Sequence, residues 1–150
     1  MTISRNLKAF LDTIAVSEGT KGIGDDGYNV VVGGAIFSDY STHPRPHVWI
    51  EKNKIFSSAA GRYQVLAHYY DVYKKQLNLK DFGHESQDEI AIQMIKECRA
   101  IEDIELGRFT DAIGKCRSRW ASLPDSPYGQ RTNSIGSLKM AYLKYGGEIA

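Results

Sequence analysis

Nowhere in this chain do eighteen apolar residues run together, so no segment reads as a membrane-spanning helix, and stable membrane insertion is not expected. Residues 1–10 also lack the apolar run of a secretory signal, which predicts a cytoplasmic site of synthesis. Only two cysteines occur in 150 residues, too few for a disulfide framework. Cys98 and Cys116 fall in predicted helical segments and read as free thiols in or near the core. The four histidines, His43, His47, His68 and His84, come without a CxxC pair, and the prolines between His43 and His47 exclude a helix there, so neither a metal site nor a cofactor is expected. The chain has no serine elbow of the GxSxG kind, which removes the usual setting for a nucleophilic hydrolase. Charge of one sign is lacking too: 19 Lys and Arg face 18 Asp and Glu, for a net +1. A field that weak does not draw nucleic acid, so a polymer substrate has to be held by a local cleft.

What is present is enough apolar material for a core. Hydrophobic residues make up 42% and charged residues 25%, which argues against disorder, and a chain of this length fits one domain spanning residues 1–150. Ser4 precedes Leu7, Phe10, Leu11 and Ile14 at three- and four-residue steps, the pattern of a capped amphipathic helix running to Val16 or Ser17. Glycines at 19, 22, 24 and 27 then break it. Residues 28–37, with three valines followed by Gly33-Gly34, predict a small β-hairpin, and Val48-Trp49-Ile50 predicts one more short strand after a proline-containing stretch.

Helical periodicity dominates the second half. Val65, Leu66, Tyr69, Tyr70, Tyr73 and Leu77 share a face and read as a packing stripe. Ser86 and Glu89 look like a capping box opening another helix, Thr110-Asp111 opens one toward Trp120, and a last helix through Leu138, Ala141, Tyr142 and Tyr145 closes on Gly146-Gly147. Trp120 reads as core, whereas Trp49 fits either burial or a surface contact. The order of elements predicts an α+β fold: a mostly helical body, a small β-sheet lobe and a cleft between them.

Within this frame Glu18 is the candidate for chemistry. It ends a helix whose apolar face should be buried, and small neighbours, Ser17 and Gly19, leave its side chain accessible. A partly apolar surrounding and a helix C-terminus both disfavour its ionised form, raising its pKa toward the range of a general acid. Pattern alone favours a solvated surface carboxylate, because perturbed carboxylates are a minority.

Motifs in order add to this. Residues 15–20 (AVSEGT), 27–34 (GYNVVVGG), 37–45 (FSDYSTHPR), 60–64 (AGRYQ), 120–124 (WASLP) and 128–130 (YGQ) together resemble the lambda-type phage endolysins, lysozyme-like lytic transglycosylases, over nearly the whole chain. The resemblance implies that Glu18 is the sole acid/base. It would cleave the bond between N-acetylmuramic acid and N-acetylglucosamine in peptidoglycan and leave a 1,6-anhydro end. It further implies that Gln64, in a Gly-x-x-Gln segment, lines the substrate site; Tyr63 beside it is a candidate contact, although a tyrosine there is more often core, and Tyr128 and Gln130 are candidates to place a phenol and an amide near the carboxyl. Asn29 stands where relatives tend to carry Asp; an amide there can hold a substrate group but cannot act as base or nucleophile.

Candidate second carboxylates, which a hydrolytic muramidase would need, are Asp25, Asp26, Asp39 and Glu51. A hydrolase on the same bond, and a non-catalytic wall-binding or structural phage protein, remain the alternatives. The resemblance implies peptidoglycan glycan strands as partner, a monomer, and dependence on a separate holin pore for release to the periplasmic wall of a Gram-negative host.

Overall fold

The computed structural model describes residues 2–126 and 133–150. By its internal packing the chain divides into two compact units, Met1–Gly19 with Ile92–Ala150, and Thr20–Ala91. Each is described in turn.

The first unit is helical. Helix α1, Arg5–Glu18, starts where the sequence predicts: the Ser4 hydroxyl accepts from Leu7 N, satisfying one of the amide donors that a helix start leaves without an intrahelical partner. Phe10, Ile14, Ala9 and Ala15 are wholly buried along it. Gly19 ends it in the left-handed region at φ 78°, with its N–H directed to Ala15 O and Val16 O. The unit also holds the end of α3 (His84–Glu97) and the helices α4 (Ile101–Glu105), α5 (Phe109–Cys116) and α6 (Ile135–Lys144). Helix α1 packs on α4 and α6, and α5 packs on α4 and α6. Phe109 joins them, with ring centroids 6.1 Å from Phe10 and 4.6 Å from Tyr142. Each such side chain fully buried contributes roughly 1.5–3 kcal/mol. Trp120 is core, as predicted, and Leu123 beside it is wholly buried.

The second unit carries the β structure. Strands β1, Val48–Ile50, and β2, Ile55–Ser57, pair antiparallel with Trp49 opposite Phe56. The apolar triplet Val48-Trp49-Ile50 marks β1 in the sequence, whereas Ile55-Phe56-Ser57 offers no such triplet and its pairing with β1 is not foreseen. The hairpin predicted over 28–37 is reduced to a single bridge, Val30 to Ile36. Its backbone is shared instead: Val31 bridges Ala60, and Gly61 N donates to Val30 O. Ladder bonds that go to residues 59–61 are not available to lengthen a hairpin.

Helix α2, Ala67–Leu77, buries Tyr70 and Tyr73 but leaves Tyr69 exposed, so the tyrosine stripe is two residues rather than three. Helix α3 begins at His84, two residues before the predicted cap. Just ahead of it, Asp81 Oδ1 accepts from Gly83 N at 3.0 Å and from Ser86 Oγ at 2.7 Å. Ser86 therefore lies inside the first turn. Helix α4 has no forecast in the sequence, since five residues are too few to show a period. Cys98 lies just beyond α3, and both thiols are free.

Candidate active site

Glu18 is the last residue of α1 and is partly buried. Removal from water raises its carboxyl from 4.5 to about 7, against the lowering effect of a hydrogen bond from Ser122. That bond is short: Ser122 Oγ donates to Glu18 Oε2 at 2.6 Å. Behind it lies a polar cluster. Ser122 Oγ is 2.7 Å from Ser17 Oγ, and Asn133 Nδ2 contacts Ser17 Oγ at 3.1 Å, Ser17 O at 3.0 Å and Ser122 O at 3.3 Å. Asn133 N also donates to Ser122 O at 2.9 Å, pinning the loop that carries the serine. A carboxyl whose pKa lies near neutrality can give up and take back a proton in the same pH range, as general acid–base catalysis requires.

The alternative carboxylates have the opposite electrostatics. Asp25 is held below its ordinary value by Tyr40 OH at 2.7 Å and His84 Nε2 at 2.5 Å. Burial works to raise Asp26, but Gly22 N–H and Lys21 Nζ, with the Arg62 charge, bring it below the usual range. Asp39 is lowered by the Ser41 N–H, and Glu51 by Lys54 and by Trp49 Nε1. All four therefore favour ionisation and already accept local hydrogen bonds.

The sequence-predicted binding residues fall into three groups. Asn29 is partly buried, and its Oδ1 accepts from Asp25 N at 2.9 Å, bracing the glycine-rich turn. Gln64 stands at φ 53°, with Nε2 donating to Gly61 O at 2.8 Å and Val30 O at 3.2 Å. The amide nitrogen is thus committed to the backbone. Tyr63 is a correction: it is 1% exposed, and its hydroxyl donates to Asp88 Oδ1 at 2.6 Å, so its ring cannot stack on a sugar. It belongs to an array in which buried Arg62 donates through Nη1 to Tyr63 OH, and half-buried Tyr28 donates through its hydroxyl to the same Asp88 oxygen at 2.9 Å. Tyr128 and Gln130 lie outside the described residues.

Sequence reasoning misses Ser122, Ser17 and Asn133 as a group. Ser122 sits inside the quoted WASLP motif and Ser17 inside SEG, so both were within motifs already singled out. Asn133 has no signal, because its contact with Ser17 spans 116 positions. Among the described residues, no group of three or more His, Cys, Asp or Glu side chains is arranged to hold a metal ion, and no helix is long and apolar enough to cross a membrane.

Comparison with known proteins gives a consistent set of likenesses. A family model described as Endolysin matches residues 8–149. The chain is 45% identical to an endolysin of Escherichia phage lambda over 151 residues, covering 98% of this chain and 95% of that one. It is 44% identical to an endolysin of Escherichia phage P2 over 155 residues, covering 95% and 94%. Among solved structures, bacteriophage lambda lysozyme complexed with a chitohexasaccharide superimposes with a TM-score of 0.95 at 44% identity, covering 100% of this chain and 99% of that one. A second structure, lysozyme from bacteriophage lambda, gives 0.91 at 43% with the same coverage.

Proposed function

Since the chain belongs to the endolysin family, with an α+β, lysozyme-like fold, we propose that it is a peptidoglycan lytic transglycosylase in which Glu18 is the single acid/base. As a phage endolysin it degrades the host wall and causes lysis. The observation that carries the mechanistic reading is the contrast between Glu18, raised to about 7, and the four other candidate carboxylates, each lowered. Environments that push carboxylates apart in this way mark out the one that serves as acid.

The protonated Glu18 donates to the glycosidic oxygen linking N-acetylmuramic acid to N-acetylglucosamine. The bond from muramic C1 to that oxygen breaks, and positive charge develops at C1 and the ring oxygen. The carboxylate then removes the proton of the muramic C6 hydroxyl as that oxygen closes onto C1. A 1,6-anhydro end results, Glu18 is protonated again, and no water is consumed. Hydrolysis of the same bond needs a second carboxyl, either to activate water or to form a covalent intermediate. Asp25, Asp26, Asp39 and Glu51 are each engaged in local hydrogen bonds, which supports the reading without one.

The chitohexasaccharide bound by lambda lysozyme supports a β-linked amino-sugar polymer as the substrate class. Asn29, Gln64, Tyr128 and Gln130 are assigned to binding that strand, and the family match across 8–149 supports reading the chain as one catalytic domain. It works as a monomer, accumulates in the host cytoplasm and reaches the wall of a Gram-negative host through a holin lesion.

Mass spectrometry of muropeptides released from purified sacculi tests the chemistry. Anhydro-muramic ends are expected; reducing ends that take up oxygen from labelled water establish a muramidase instead. Sacculi cleared equally by Glu18→Gln would remove this residue from the mechanism.

A further inference from the structure

The hydrogen bonds behind Glu18 have a direction. Asn133 Nδ2 faces two backbone carbonyl oxygens, Ser17 O at 3.0 Å and Ser122 O at 3.3 Å, and carbonyls only accept. The amide is thereby fixed with its NH2 group toward the serines. Ser17 Oγ, at 3.1 Å, is therefore an acceptor from Asn133, and its own hydrogen is directed to Ser122 Oγ at 2.7 Å. Ser122 Oγ accepts that hydrogen and directs its own to Glu18 Oε2 at 2.6 Å. Ser17 and Ser122 are both buried, so water does not readily compete for these hydroxyls.

We propose that Ser122 is a positioning residue for Glu18, and that the one-way relay from Asn133 through Ser17 and Ser122 holds Oε2 as an acceptor, assigning the transferable proton to Oε1. The proposal rests on the reading of Glu18 as the acid. It adds which oxygen acts, and why. A protonated carboxyl can carry its hydrogen on either oxygen, and only one points at any given acceptor. Were the hydrogen on Oε2, Glu18 would have to donate to Ser122, Ser122 to Ser17, and Ser17 toward an amide nitrogen that cannot accept. Reversal is blocked at Asn133, so the acid proton is kept on Oε1. After proton transfer the relay acts again, because a donor on Oε2 stabilises the carboxylate that has just formed. It thereby limits how far burial raises the group.

Carbon-13 NMR titration of the Glu18 carboxyl in the full-length chain, with kinetics on sacculi, tests this. In Ser122→Ala the titration midpoint is expected to rise by about one pH unit, as for loss of a hydrogen bond to a charged group. The maximal rate should fall about tenfold with little change in the half-saturating substrate concentration. Ser122→Thr, which keeps a hydroxyl, should restore the midpoint. If Ser122→Ala does not fold, Ser122→Cys, with its weaker donor, should move the midpoint the same way. Asn133→Leu should raise the midpoint by less and add nothing in the Ser122→Ala background, because it acts through the serine. An unmoved midpoint in the folded Ser122 variant, or an Asn133 effect that persists without Ser122, overturns the relay. Activity retained by Glu18→Gln would instead overturn the catalytic reading and leave the titration result intact.

Discussion

Replacing Glu18 by Gln should make this protein more stable while removing its activity, and the gain should depend on pH. The carboxyl is raised from 4.5 to about 7 because burial penalises its charge. Its folded value lies above its unfolded value, so the folded state binds the proton more tightly. The full stability is present below about pH 4.5, where both states are protonated, and is lost as pH rises toward 7. Between those values the loss, at about 1.36 kcal/mol per pH unit, comes to about 3 kcal/mol. A glutamine carries no charge to bury and keeps an oxygen for Ser122 Oγ, so it escapes this cost. Denaturant unfolding of both forms across the range from about pH 4 to pH 8 should give curves that coincide in acid and separate by about 3 kcal/mol at the alkaline end, with unchanged slopes. Parallel curves, or a variant less stable at every pH, would refute the claim that Glu18 is a desolvated acid.

Gly61 stands at φ 84°, and a Cβ there would meet Phe82 Cζ and Gln87 Cδ at 2.9 Å; Gly61→Ala should therefore lose about 2–4 kcal/mol, measured by the shift in denaturant midpoint. His43 is buried, with Nδ1 accepting from Arg45 N and Nε2 facing Val65 O, so it is neutral, and burial lowers its pKa. Its folded value is below its unfolded one, so its contribution is present above about pH 6.5 and is lost as pH falls; His43→Gln should flatten that acid limb, and an unchanged limb would count against it. A hydrogen bond from Cys116 is the main influence bringing the Cys98 thiol down to about 7, while that same bond and burial raise Cys116. Iodoacetamide at neutral pH should label Cys98 first in the native protein, and peptide mapping that finds Cys116 labelled equally would contradict the assignment.

Much of the fold was legible because local rules and tertiary contacts agree. Ser4 caps α1 and Gly19 ends it, as their side-chain chemistry dictates, and the three- and four-residue spacing of Leu7, Phe10, Leu11 and Ile14 marks the face that is buried. Where the two disagree, the tertiary contact prevails. Ser86 has the look of a cap, but the helix starts two residues before it and its hydroxyl donates to Asp81, and Val31 bridges Ala60 rather than extending a local hairpin. Tyr63 shows the same limit at the site: its motif position offers a contact, while its ring is buried and its hydroxyl is tied to Asp88.

By itself the sequence determined most of the helical framework and the family, and it singled out Glu18 as the candidate acid, since these depend on residue type, short spacing and the order of motifs. Only the tertiary structure decided what state that acid is in. Glu18 carries a raised pKa because the fold takes it out of water, and its proton has a defined oxygen because Ser122 and Asn133 are brought back to Ser17 and Glu18 from more than a hundred positions away. Hydrogen-bond direction and desolvation are properties of assembled neighbours, and no local pattern in the chain encodes them.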